Sequence, residues 1–425
     1  MKKSNLILAT ALAAAEAVWG AGVTVTEVSQ DAVTRCVTVA YTLQDGPAIV
    51  TFGVTDATGN PIGDERLQGA IGDVNRKVSG DTTHTFTWQP DANGREFVVK
   101  GGIKVQVKAW ELDDPPPYMT LELFGNHGIG YYESPDAMPG TVKDGRYKTG
   151  TMVFRRIPAK GQTFTMGDAT AAVSDKRMTP HQVSFTNDYY IGVYPMTIAQ
   201  YWQVANTKSY NPQAALNNTE TATNYVRDVS AYGRARPIVG MSIRYYLRGA
   251  DQSAPKYNWP TGRELNSALL LSLLRDMAPG FAFDLPTSAQ WEYACRAGTT
   301  TRFNNGSDTD STDVGWWLSN NAEDPDWVEG MPHAVGLKQP NAWGLYDMHG
   351  NVEEWCLDWL AAGSSYVPPD EVEPEGPDSG TQRTLRGGAF NVTENRYSSG
   401  SFRGMAPGEQ QIGFGFRVAF PLTAP

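Results

Sequence analysis

Asn341-Ala-Trp-Gly-Leu-Tyr-Asp-Met-His-Gly-Asn-Val-Glu-Glu-Trp355 is the stretch on which the reading of this chain turns. Within it, Asp347-x-x-Gly350-x-Val352-x-Glu354 sets two carboxylates on a tight, glycine-containing loop. Backbone carbonyls at Gly350 and Val352 can point between them, and a divalent calcium ion takes oxygen ligands of this mixed kind. The alternative is that Asp347 and Glu354 accept backbone hydrogen bonds and hold the loop in shape. The chain as a whole carries 43 glycines and 12 tryptophans. That composition suits many loops and turns with aromatic side chains packed among them.

On either side, short strands mix with few helices. Ile198–Ala205 and Ser288–Ala297 are the clearest helical runs, and Glu264–Met277 is a further one. Thr287 or Ser288 is placed to cap the second of these, and Glu292 to help neutralise its first turns. Ala362–Gly380, rich in proline, glycine and acids, reads as a surface loop.

Several further stretches accompany the first in order: Phe164-Thr-Met-Gly167, Pro180-His-Gln-Val183, Tyr189-Tyr-Ile-Gly-Val-Tyr-Pro-Met-Thr197, and Phe283-Asp-Leu-Pro-Thr-Ser-Ala-Gln-Trp-Glu-Tyr-Ala-Cys-Arg-Ala-Gly298. Arg386-Gly-Gly388, Arg403 and Gly415-Phe-Arg417 close the series. Together they resemble the formylglycine-generating-enzyme (sulfatase-modifying factor) family over roughly residues 150–421. The resemblance implies a C-type-lectin-like α+β fold with little regular secondary structure. It also implies a structural calcium at Asp347, Gly350, Val352 and Glu354, with a weaker second site near Asn320 and Asn321. Arg296, Arg386, Arg403 and Arg417 fall in matching motifs and read as loop-pinning arginines rather than groove linings. Trp291, Trp343, Trp355 and Trp359 read as core.

One departure governs the expected chemistry. The family's oxidase converts a substrate cysteine to formylglycine with a pair of copper-binding cysteines shortly after the Arg-Gly-Gly motif. Here Gly387–Gly400 contains no cysteine. Asn391, Thr393, Glu394 and Asn395 offer hard donors, which favour calcium or magnesium over Cu(I). Copper is therefore not expected, and no catalytic residue can be named. Relatives that use iron hold it with histidines of a helical domain; the five histidines here include no H-x₃-H pair. A nucleophile elbow and a phosphate-binding glycine loop are absent as well. The expectation is a calcium-stabilised domain that binds a protein, peptide or glycan. The rivals are an active oxidoreductase of the same family and a variable protein of a diversity-generating retroelement. In the latter, Asn391, Asn395, Tyr397, Ser398 and Ser399 would suit the diversified segment.

The remainder of the chain frames that domain. Lys2, Lys3 and the apolar run Ile7–Ala15, followed by Val18-Trp-Gly20, read as a signal peptide over residues 1–20. This places the protein in the periplasm, at the cell surface or outside the cell. Residues 22–112 alternate with period two in several runs, from Val23–Val28 to Ile103–Trp110, and predict an all-β sandwich of the immunoglobulin or fibronectin-type-III kind. Asp113-Asp-Pro-Pro-Pro117 opens a linker and lead-in over 113–149. The net charge of −11 and the lack of a lysine- and arginine-rich run exclude a nucleic-acid footprint. Beyond the signal segment no stretch reaches transmembrane length. Cys36, Cys295 and Cys356 form no metal-binding spacing. A Cys295–Cys356 disulfide and two buried free thiols are equally consistent with the sequence.

Overall fold

The computed structural model describes residues 22–31, 33–55, 58, 60–62, 70–80, 82–89, 104–171, 174–205, 231–249, 265–326, 329–393 and 396–422. The expected signal peptide, Ile103, Glu264, Glu394 and Asn395 lie outside them. The chain divides into two units. One holds the described residues up to Leu121 together with Gly128–Tyr147, and the other holds Glu122–His127 with Lys148–Leu422.

Most of the regular structure among the described residues of the first unit is strand. Strands β1 (Val23–Gln30), β2 (Val37–Leu43) and β3 (Ala48–Thr55) fall on alternating runs, as do β7 (Thr83–Trp88) and β8 (Lys104–Trp110); the short β4 (Pro61–Ile62), β5 (Ile71–Gly72) and β6 (Arg76–Val78) lie outside any predicted run. One sheet has the order β1-β2-β7-β5; in the other, β3 pairs with β4, β6 and β8. All these pairings are antiparallel. The period of two decides what is buried. In β2, Val37, Val39, Tyr41 and Leu43 turn inward, and in β7 His84, Phe86 and Trp88 do so. Val50, Phe52 and Val54 of β3 join the same apolar core. Full burial of side chains of this size stabilises by about 1.5–3 kcal/mol each. The chain turns at Asp113–Asp114, and β9 (Tyr118–Glu122) then pairs antiparallel with β10 (Ile129–Tyr132).

The second unit is mostly β with a few short helices. Strand β11 (Thr151–Ile157) pairs with β14 (Tyr189–Gly192), which also pairs with β22 (Ala419–Pro421). A small sheet joins β12 (Thr163–Met166), β13 (His181–Ser184) and β18 (Glu371–Val372). Short β15 (Gly315–Trp316) and β16 (His349–Gly350) pair in parallel. The fourth sheet has the order β20 (Phe402–Met405), β19 (Arg383–Arg386), β17 (Glu353–Trp359), β21 (Phe414–Gly415).

The helix Ile198–Ala205 has the bounds read from the sequence. Within the predicted Glu264–Met277 the helix covers Leu270–Met277. Upstream of it the Asn266 side chain accepts from Ala268 N and closes a turn that competes with helix. The helix Ser288–Arg296 is capped by Thr287 in a capping box with Gln290. Among the described residues no helix is long and apolar enough to cross a membrane.

Every residue of β17 is buried. The strand therefore carries Glu353, Glu354 and Asp358 into the interior, where carboxylates need charged or hydrogen-bonding partners.

Candidate functional site

The signature loop enters β17 through three left-handed residues, Asp347, Gly350 and Asn351. At Gly350 a Cβ would collide with the Trp316 carbonyl, because β16 runs against β15 there. Only glycine fits. The Glu354 carboxylate, fully buried, accepts two hydrogen bonds from Arg417, Nε at 2.6 Å and Nη2 at 2.7 Å. It accepts a third from the Trp291 indole at 2.6 Å. Arg417 also donates to the carbonyls of Gly192 and Tyr346. Asp347 is buried too. Its two oxygens accept from Gly336 N at 2.7 Å and from the Asn351 amide at 3.2 Å. Burial pushes its carboxyl up to about 6. The Gly350 carbonyl accepts from Val352 N, and the Val352 side chain is buried.

These four residues supply oxygens of the type calcium prefers. As arranged they do not fit a cation, because Arg417 and Trp291 already occupy Glu354 and supply its counter-charge and hydrogen bonds. Among the described residues no group of three or more His, Cys, Asp or Glu side chains could hold a metal. At the weaker second site the amides are also committed. Asn320 bonds Trp317 N and Gly315 O, while Asn321 donates to Phe390 O and faces His333 Nε2 at 3.0 Å.

A second buried ion cluster lies alongside. Glu292 accepts from Arg386 at 2.8 Å, from Arg296 and from Gly167 N. Its expected work at the helix start is done by Thr287 and Gln290 instead, which frees Glu292 to tie three distant segments together. Arg296, Arg386 and Arg417 are thus loop-pinning residues. Arg403, partly exposed, holds Glu353 with two N–H groups. Trp291, Trp355 and Trp359 are core, whereas Trp343 is partly exposed against Tyr293.

The cysteines are free. Cys295 sits 3.7 Å from His349 Nε2, which resembles a nucleophilic pair in composition. The surroundings set it apart from one. His349 Nδ1 donates to Tyr397 O at 2.7 Å and Nε2 accepts from Asn304 N at 3.1 Å, so the ring is a neutral tautomer. Burial pushes the imidazole down to about 4 and the Cys295 thiol up to about 12. A neutral thiol beside a neutral ring is not a nucleophile. Burial also raises the Cys356 thiol, which donates to Glu354 O at 3.9 Å.

The segment that follows Arg386-Gly-Gly388 is anchored by Tyr397. The Tyr397 ring lies between Phe303 and Trp317, with centroids at 5.7 and 5.1 Å, and the hydroxyl meets Ser311. Ser398 donates to Asp168, and Ser399 N donates to Arg302 O. Tyr397, Ser398 and Ser399 are therefore buried, while Asn391 and Thr393 are exposed. Sequence reasoning missed His333. It is buried, stacks on Trp316 at 3.9 Å and faces Asp324 at 2.8 Å; a lone histidine gave no spacing signal.

Residues 145–422 match the family model described as the sulfatase-modifying factor enzyme 1-like domain. The formylglycine-generating enzyme of Streptomyces coelicolor is 34% identical over 150 residues, 32% of this chain and 46% of that protein. The match therefore spans about half the length of that relative. The chaperone protein LppX of Paenibacillus barcinonensis is 28% identical over 236 residues, 53% of this chain and 75% of that protein. Among solved structures, Treponema denticola variable protein 1 is 23% identical, with a TM-score of 0.44, covering 64% of this chain and 95% of that one.

Proposed function

The chain belongs to the sulfatase-modifying factor enzyme 1-like family, and from that premise we propose that it is an exported binding or scaffold protein rather than a thiol oxidase. One observation carries the reading. Both cysteines of the family domain are buried neutral thiols, and the segment after Arg386-Gly-Gly388 has none. A surface for Cu(I) and a substrate thiol therefore lacks its soft ligands. The segment instead presents Asn391 and Thr393 on a framework pinned by Tyr397, Arg386 and Arg417. Such a rigid base with polar tips suits recognition of a protein, peptide or glycan. The first unit serves in this reading as an immunoglobulin- or fibronectin-type-III-like spacer or adhesion module. Lys2, Lys3 and Ile7–Ala15 support export.

The purified chain, loaded with Cu(I) and given a sulfatase-type cysteine peptide, tests the reading by mass spectrometry. No thiol-to-aldehyde conversion is expected. Conversion that vanishes in Cys295→Ser or Cys356→Ser overturns it in favour of the oxidoreductase. The retroelement reading draws on Asn391 alone among its exposed described positions, since Tyr397, Ser398 and Ser399 hold the core. A structural calcium at Asp347, Gly350, Val352 and Glu354 rests on the family resemblance and requires Arg417 to release Glu354. Titrating calcium into the metal-free chain while following its unfolding temperature tests it. A rise supports the site, and an unchanged temperature leaves Arg417 as the counter-charge.

A further inference from the structure

One histidine of the first unit sits among partners that respond to its protonation. His84 is buried in β7, and its ring stacks on Tyr41 of β2 with centroids 5.4 Å apart. Nδ1 lies 3.0 Å from the Asp73 carboxylate. Nε2 lies 3.1 Å from the Gly80 carbonyl and 3.4 Å from the Thr82 hydroxyl. The Tyr41 hydroxyl closes the corner by donating to the Asp73 carbonyl at 2.5 Å. Among the described residues, Asp73 and Arg76 are the charged groups that act on this corner; Asp81 lies outside them. Burial, with the Asp73 charge, pushes the Tyr41 phenol up against the pull of Arg76, so Tyr41 stays a neutral donor. The corner also anchors the segment that begins at Asp73. Asp73 N donates to Thr85 O, Asn75 N donates to Val50 O, and Asn75 O accepts from Tyr131 N of β10.

The chemistry of these oxygens fixes what each ring nitrogen can do. An ionised carboxylate only accepts, so Nδ1 carries a proton in either charge state of the ring. A carbonyl also only accepts, whereas a hydroxyl donates or accepts. With a second proton on the ring, Nε2 donates to the Gly80 carbonyl. Without it, Nε2 is a lone pair, and of its two neighbours the Thr82 hydroxyl alone can satisfy it. The Gly80 carbonyl then faces that lone pair with no proton between them. A buried acceptor left in that condition costs the folded state.

We propose that His84 is a proton-operated clasp of the first unit, whose cation ties Asp73 to Gly80 across the ring and whose neutral form passes Nε2 to Thr82. The proposal is independent of the binding reading above. Its test uses the full chain with nitrogen-15 in its five histidines, the His84 ring being the signal lost in His84→Gln. At about pH 5 both ring nitrogens are expected to carry protons, and at about pH 8 Nδ1 alone, since histidine changes charge between those limits. A proton on Nε2 alone at about pH 8, or a ring in the same state at both pH values, overturns the proposal. Thr82→Val, at an exposed position, removes the hydroxyl and separates a switch from a merely structural contact. Thermal unfolding is followed through the His84 ring signal, which reports the first unit. The Thr82→Val midpoint is expected to match the parent's at the lower pH and to fall about 4–8 °C below it at the higher, the shift for about one hydrogen bond in a unit of this size. Asp73→Asn keeps an acceptor for Nδ1 and removes the counter-charge, so its larger loss is expected at the lower pH. A Thr82→Val loss of equal size at both pH values, or an Asp73→Asn loss that is larger at the higher one, overturns the clasp.

Discussion

Replacing Arg417 by methionine tests the buried ion pair at the heart of the family domain. The parent side chain gives Glu354 two charge-assisted hydrogen bonds and gives the Gly192 and Tyr346 carbonyls one each, with both charged groups fully buried. Methionine keeps much of the volume and removes every donor. Glu354 then retains only the Trp291 indole N–H, an inadequate substitute for a counter-charge. Breaking a buried pair from one side costs about 3–5 kcal/mol, because the remaining charge is desolvated without compensation. For a unit of this size each kcal/mol moves the unfolding midpoint by about 2–4 °C, so Arg417→Met lowers that of the second unit by roughly 6–20 °C.

Glu354→Gln costs less than Arg417→Met. The glutamine oxygen still accepts from Trp291, and Arg417 keeps the carbonyl acceptors of Gly192, Val193 and Tyr346. The double variant is the decisive sample. Removing the second charge relieves the first, so it is more stable than Arg417→Met alone, with a coupling energy of about 0.5–3 kcal/mol. The assay is chemical denaturation followed by the fluorescence of the 12 tryptophans. Because the chain has two units, each transition is fitted separately. Costs that simply add in the double variant would refute the argument that Arg417 and Glu354 neutralise one another.

Three further outcomes follow from the same interior. In the native chain Cys295 and Cys356 resist iodoacetamide and react only in denaturant; labelled-peptide mass spectrometry checks this, and rapid native labelling contradicts the buried neutral thiols. Burial raises Asp358 to about 7, so its contribution to stability is present at about pH 4 and is lost as pH rises through about 7. Asp358→Asn accordingly flattens that part of the stability–pH curve, and a parent-like slope in the variant rejects the assignment. His349, lowered to about 4, acts in the opposite sense, its contribution being lost as pH falls from about 6.5 through about 4. Gly350→Ala costs roughly 1–3 kcal/mol from its left-handed backbone, and more where the Cβ meets the Trp316 carbonyl; a denaturation midpoint within error of the parent's shows that the loop can move.

Much of the molecule was legible before any coordinates. Period-two runs located β1, β2, β3, β7 and β8 of the first unit, because alternation sorts apolar from polar side chains on a two-sided strand, while the two- and three-residue β4, β5 and β6 are too short to carry a period. Thr287 or Ser288 marked a helix start because capping is local chemistry; the structure shows the cap to be Thr287, in a capping box with Gln290. The ordered motifs from Phe164 to Arg417 located the family domain. The partners of the charges were hidden. Glu354 meets Arg417 across 63 positions and Glu292 meets Arg386 across 94, pairings that no local period encodes. Glu292 was expected at a helix dipole, yet the tertiary fold buries it among two guanidiniums and a backbone amide. The same holds for Cys295 and His349, whose residue types suggest a reactive pair. Burial and two backbone contacts fix the imidazole as neutral and leave the thiol protonated. The sequence by itself determined which groups this protein owns. Only the tertiary structure decided which of them face one another and which are removed from water, and those two conditions set the charge state on which any chemistry depends.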